Sequence, residues 1–173
     1  MRHLLLLLLA VGSLAGQKPA YLSTDEFAED WKVSKQFTIA VATKMPAEFY
    51  DFKATPEEMT FGEQVVHIAA SLYFRFQAIS GEKAPVTAMP KSPTKEVALE
   101  WLTGSFDYVL RVLPKITDEK LAAIKFPVKF EGRTGDVRGK EMARNMFMHV
   151  AHHRAQCEVY LRLKGIAPPP YTF

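Results

Sequence analysis

A chain of 173 residues, 48% of them apolar, is long enough for one domain with a substantial core. Its formal charge of +3 comes from interleaved acidic and basic residues, which excludes the basic stripe of a nucleic-acid binder and an acidic tail. The single cysteine, Cys157, excludes an internal disulfide, so stability must come from packing, from metal, or from both.

The chain opens with MRHLLLLLLAVGSLAGQ. Arg2 supplies a positive n-region, Leu4 to Val11 an apolar run, and Ser13-Leu14-Ala15 a small-x-small cleavage site, the pattern of a secretory signal peptide. The apolar run is short for a bilayer span, and no cysteine lies near the cleavage site to carry a lipid. The expectation is a signal peptide over residues 1–16, a single domain over 17–173, and a secreted or periplasmic protein. No later stretch approaches about 18 consecutive apolar residues, so no membrane span is expected after cleavage.

Four long helices are predicted. The first follows Ser23-Thr24-Asp25-Glu26, a capping box with Ser23 as N-cap and Glu26 reaching back. Phe27, Trp31, Thr38, Val41 and Met45 recur at helical intervals, and Pro46 ends the run. The second is expected to start at Thr55-Pro56-Glu57-Glu58, with Thr55 as N-cap and Pro56 in the first helical position. Phe61, Val65, Ile68, Leu72, Phe76 and Ile79 form its apolar stripe, and Gly81 its C-terminal stop.

A linker with three prolines follows. The third helix is expected to open at Ser92-Pro93, run through Val97, Trp101, Phe106 and Leu110, and stop before Pro114. TDEKLAAI allows one or two further turns, and KFPVKFEGRTGDVRG reads as an irregular or hairpin-like connection. The fourth long helix spans about Arg138 to Lys164, with Gly165 as its stop and PPP just beyond. The sum is an all-α chain, most simply a four-helix bundle with long crossovers.

Inside that last helix lies HVAHHRAQ, residues 149–156. On a helical wheel Met142, Met146, His149, His153, Gln156 and Tyr160 form one stripe, which should enter the bundle. His152 is turned roughly 100° away, toward a flank or solvent. Two buried imidazoles on one stripe need partners for their ring nitrogens. A divalent ion gathers both, because His at i and i+4 can reach one metal, as in the HExxH zinc helix. Val150 stands where that motif has its glutamate, so the general base of such a protease is missing.

The pair needs a third ligand. The remaining histidine of the mature chain is His67, mid-way along the second helix and roughly 120° from its apolar stripe, near Ala70 and Phe74. The plainer readings are a satisfied core pair for His149 and His153 and a structural role for His67. Cys157, one turn beyond His153, reads as a small buried hydrophobe, with a thiolate ligand as the alternative. Arg154 and Glu158, at i and i+4, are set for an ion pair. Gln156 either orients a ligand or makes the mouth of the site polar.

HVAHHRAQ followed by YLRLKGIAPPPY, with one histidine mid-way along the second helix, resembles the DinB-like superfamily. The resemblance covers nearly the whole mature chain. It implies a four-helix bundle of up-down-down-up topology in which three histidines bind a divalent metal, zinc or nickel. By position the ligands are His67, His149 and His153, with Arg154 and Gln156 completing the signature and Ala155 where many relatives carry glycine. Some relatives are thiol-dependent transferases or isomerases. The functional expectation is an exported metal-dependent hydrolase or thiol-dependent transferase, or else a non-catalytic binding module or a bundle with a structural metal. Its expected partners are a small-molecule substrate and, as an open option, a second copy of the chain, with no nucleic acid.

Overall fold

A computed structural model describes residues 24–130 and 133–171. The leader and Ser23 lie outside these residues. Four long helices run over Thr24–Lys44 (α1), Phe61–Ser80 (α2), Lys95–Val112 (α3) and Gly139–Leu163 (α5). A short helix, Asp118–Ala123 (α4), and two strands, Lys125–Phe130 (β1) and Arg133–Arg138 (β2), join α3 to α5. The strands pair antiparallel, with Lys125 opposite Arg138, so the segment read as irregular or hairpin-like is a hairpin. Among the described residues no helix is long and apolar enough to cross a membrane.

Side-chain pairs fix the direction of each helix. Lys95, at the start of α3, donates to the carbonyls of Thr43 and Met45 at the end of α1, so these two helices are antiparallel. Tyr73 meets Trp101 and Ser80 meets Tyr108, so α2 and α3 run parallel. Phe61 meets Tyr160 while His67 meets His149, so α2 and α5 are antiparallel. Phe27 meets Phe147 and Thr38 meets Arg154, so α1 and α5 are parallel. The bundle is up-down-down-up, with α1 diagonal to α2. Parallel neighbours α2 and α3 require the chain to return along the bundle. The α2 helix is about 30 Å long, and residues 81–94, extended, reach up to about 46 Å.

The first two predicted apolar stripes are the core: Phe27, Trp31, Thr38, Val41 and Met45 on α1, and Phe61, Val65, Ile68, Leu72, Phe76 and Ile79 on α2, are all buried. Trp31 packs edge-on against Phe76, Phe106 and Phe147, joining all four helices. On α3 Phe106 is buried as expected, but the other core positions are Ala98, Leu102, Ser105 and Val109, while Val97, Trp101 and Leu110 are half-buried beside them. Gly81 and Gly165 end α2 and α5 with φ of 78° and 72°, a backbone that favours glycine.

Two helix starts differ from the sequence reading. The N-cap of α2 is Thr60, whose side chain accepts from Glu63 N while Glu63 accepts from Thr60 N at 2.7 Å. Thr55–Glu58 forms a turn instead. The preceding loop decides between the two boxes: Phe52 and Tyr50 carbonyls accept from Phe61 and Gly62 N–H, satisfying first-turn donors that a helix begun earlier would use internally. Likewise Thr94, not Ser92, caps α3. Ser92 has φ 46°, outside the extended region an N-cap occupies.

Candidate metal centre

Two antiparallel helices bring the site together. α2 contributes Gln64 and His67, three residues apart, and α5 contributes His149 and His153, four apart, so each pair stacks on one side of its helix. The stripe with the α5 histidines lies to one side of the bundle axis. Val150, Cys157 and Leu161 point to the core, whereas His149 and Gln156 are half-buried on the flank facing α2. His153 is buried at 8% exposure, His67 half-buried, and His152 exposed.

One ring nitrogen from each of His67, His149 and His153 lies within 4.8 Å of the others. His67 Nε2 and His149 Nε2 are 3.2 Å apart. Nitrogens that share an ion at the usual metal–nitrogen length of about 2.0–2.1 Å would be spaced by about 3–3.4 Å. The donor set therefore fits a divalent ion. No Cys, Asp or Glu joins the cluster among the described residues.

Burial first, and then the charges of the neighbouring histidines, together hold the His149 and His153 imidazoles down to about 4; for His149 the Arg75 guanidinium also contributes. Burial lowers His67 as well. All three are thus neutral at pH 7, with lone pairs free. In the metal-free protein these groups bind fewer protons folded than unfolded between the ordinary value of 6.5 and about 4. Stability must then be lost as pH falls through that window. Thermal melts of metal-free protein should show Tm falling between pH 6.5 and 4, with a shallower slope for His149→Gln.

His153 is held by a residue that the sequence reading passed over. Its Nδ1 donates to Gln64 Oε1 at 2.7 Å, and Gln64 is wholly buried. With Nδ1 carrying the proton, Nε2 keeps its lone pair for the cluster. The signal was present: Gln64 is a polar residue one turn before His67, beside an otherwise apolar stripe. His149 Nδ1 and Gln156 Oε1 are buried without hydrogen-bond partners.

The other signature residues fall elsewhere. Cys157 is a buried hydrophobe whose thiol burial pushes up to about 12, and it is no part of the cluster. Arg154 does not pair with Glu158. Its guanidinium covers the Phe37 ring at 4.4 Å and donates to Thr38 Oγ1, while Glu158 pairs with Arg162 at 3.7 Å. Arg154 faces α1, and a cation over an aromatic ring in a half-buried seam competes well with an exposed ion pair.

Residues 31–157 match the sequence profile of the DinB superfamily. The chain belongs to the DinB superfamily. Its fold is similar to that of a DinB-like protein from Bacillus subtilis, at 20% identity over 84% of this chain and 96% of the other, with a TM-score of 0.65. A DinB-like protein from Bacillus cereus ATCC 10987 is as similar, at 20% identity over 88% of this chain and 99% of the other, with the same TM-score. No curated protein matches the sequence. Membership in the DinB superfamily and the three-histidine cluster are together compatible with metal binding.

Proposed function

We propose that this DinB superfamily protein is exported and holds a divalent ion, zinc or nickel, on His67, His149 and His153, as a metal-dependent enzyme acting on a small molecule. The convergence of three neutral imidazole nitrogens carries the reading. Three protein ligands with open positions left over are the pattern of a catalytic rather than a closed structural site. The half-exposure of His67 and His149 supports access from solvent. An ion held by neutral ligands keeps its full charge and supplies Lewis acidity, lowering the pKa of a bound water or thiol or polarising a carbonyl. The reaction class is metal-assisted hydrolysis or thiol addition. Gln64 holds the His153 ring and its proton in place, and the buried α2–α5 seam keeps bulk water from its inner side.

Metal analysis of the untagged protein should find about one zinc or nickel ion per chain. Cobalt-substituted protein should then change its visible spectrum on adding azide or a thiol. A loaded protein whose spectrum stays constant at saturating ligand would instead hold a structural metal. Export rests on the leader, MRHLLLLLLAVGSLAGQ. Protein from the native envelope fraction should begin at Gly16 or Gln17, and an intact Met1 on cytosolic protein would refute export.

A further inference from the structure

The hydrogen bond that sets the His153 tautomer is ambiguous by itself. A primary amide has an acceptor end and a donor end, related by a half-turn of its last torsion. With Oε1 toward His153, Nδ1 carries the proton and Nε2 is free to ligate. With the amide turned over, its NH2 donates to Nδ1, the ring proton moves to Nε2, and the ligating position is blocked. Gln64 is wholly buried, so solvent cannot satisfy whichever end is left over. A further group must choose between the two orientations.

Tyr160 stands on the other side of Gln64. It follows His153 by seven residues, two turns along the same side of α5. Its ring lies 6.2 Å from that of Phe61, which precedes Gln64 by three residues, and 5.9 Å from that of Phe52. Because α2 and α5 are antiparallel, Gln64 faces α5 between His153 and Tyr160. Tyr160 is buried, and its hydroxyl donates to the Met59 carbonyl at 2.7 Å. A backbone carbonyl can only accept, so the direction of that bond is fixed. Having given its proton to Met59, Tyr160 Oη keeps lone pairs and can only accept in turn. Gln64 Nε2 is buried and lacks a partner of full hydrogen-bond geometry. The two groups still act on each other: burial pushes the Tyr160 phenol up, and donation from the Gln64 side chain holds it back.

We infer that Tyr160 is a positioning residue for the metal centre, its hydroxyl taking a hydrogen bond from Gln64 Nε2 and holding the amide in the one orientation that leaves His153 Nε2 unprotonated. The protons then point one way along four groups. The Met59 carbonyl takes the Tyr160 proton, Tyr160 Oη takes one from Gln64 Nε2, and Gln64 Oε1 takes the proton of His153 Nδ1. A main-chain carbonyl just before α2 thereby decides which nitrogen of His153 is open to a metal. The inference rests on the metal-site reading only for the need of a free Nε2.

The test compares wild type with Tyr160→Phe by the nitrogen chemical shifts of His153 in metal-free, untagged protein, and by zinc titration. Wild type should show one tautomer, Nδ1–H. Tyr160→Phe should show both, and should bind zinc about tenfold more weakly, the low end for a lost outer-shell partner. Tyr50→Phe deletes another buried hydroxyl, one that donates to the Ala42 carbonyl at 2.9 Å, and should behave as wild type. Gln64→Glu accepts at both ends when ionised, so adding Tyr160→Phe to it should change neither tautomer nor affinity. A single Nδ1–H tautomer in Tyr160→Phe overturns the inference. So does an equal loss of zinc affinity from Tyr160→Phe in the Gln64→Glu background, which marks a packing role. Should Tyr160→Phe fail to fold, wild type decides alone: a close proton–proton contact between the Gln64 amide and the Tyr160 ring is expected, and its absence overturns the inference. Failure of wild type to bind zinc would overturn the metal-site reading instead, while the tautomer comparison, made without metal, is read as before.

Discussion

Replacing His67, His149 or His153 singly by alanine should remove most of the protein's metal affinity, while His152→Ala leaves it nearly unchanged. The rings of the first three are mutually within 5.0 Å, centre to centre. Each offers a nitrogen to one point. Losing an outer-shell partner of a metal ligand typically costs about 10–100-fold in affinity, and a direct ligand should cost at least as much. His152 touches the edge of His153 but is exposed and outside the cluster. Metal content and titrated affinity of the four variants decide the matter, with helicity measured to exclude unfolding. Loss of metal in His152→Ala with retention in His153→Ala would invalidate the assignment on α5. Full affinity in His67→Ala would remove the link between the two helices.

Gln64→Leu should also weaken metal binding, by about 10–100-fold, although Gln64 is not a ligand. The leucine cannot accept from His153 Nδ1, so the imidazole is free to carry its proton on Nε2, where the lone pair is needed. Gln64→Glu keeps the acceptor and should keep the affinity. The direct readout is the nitrogen chemical shifts of His153 in metal-free protein: Nδ1–H in wild type, mixed tautomers in Gln64→Leu. Gln64 also buries its Nε2 without a hydrogen-bond partner, a cost expected to be about 1–3 kcal/mol. Leucine removes that orphan, so lost affinity without lost stability separates a positioning role from a packing role. An unchanged tautomer in Gln64→Leu would refute the positioning role.

The differences between sequence and structure have local causes. Thr55–Glu58 and Thr60–Glu63 are both capping boxes by spacing, five residues apart. Only the fold shows that Tyr50 and Phe52 carbonyls are waiting for the first N–H groups of a helix starting at Phe61. On α3 the large residues Trp101 and Leu110 drew the apolar stripe toward themselves. The bundle axis lies over Ala98, Leu102, Phe106 and Val109, and Trp101 sits at its edge against the Tyr73 ring. For Arg154 and Glu158, i,i+4 spacing offered an ion pair, but spacing along one helix carries no information about the aromatic ring that a neighbouring helix presents.

The sequence by itself determined what depends on one helix at a time. Apolar periodicity set four long helices, glycine stops ended α2 and α5, and the interval of four placed His149 and His153 on one side with His152 off it. Whatever depends on two helices was decided only by the tertiary structure. His67 lies 82 residues from His149, and its position roughly 120° from the α2 core stripe names no neighbour. It meets the α5 pair because α2 and α5 pack antiparallel. That same packing turns the histidine stripe to the flank, so two of the three rings reach solvent, and sets Gln64 against His153. Helical periodicity is a short-range property of the backbone, whereas these contacts arise from how the buried faces of two helices fit together, which no spacing within either helix encodes.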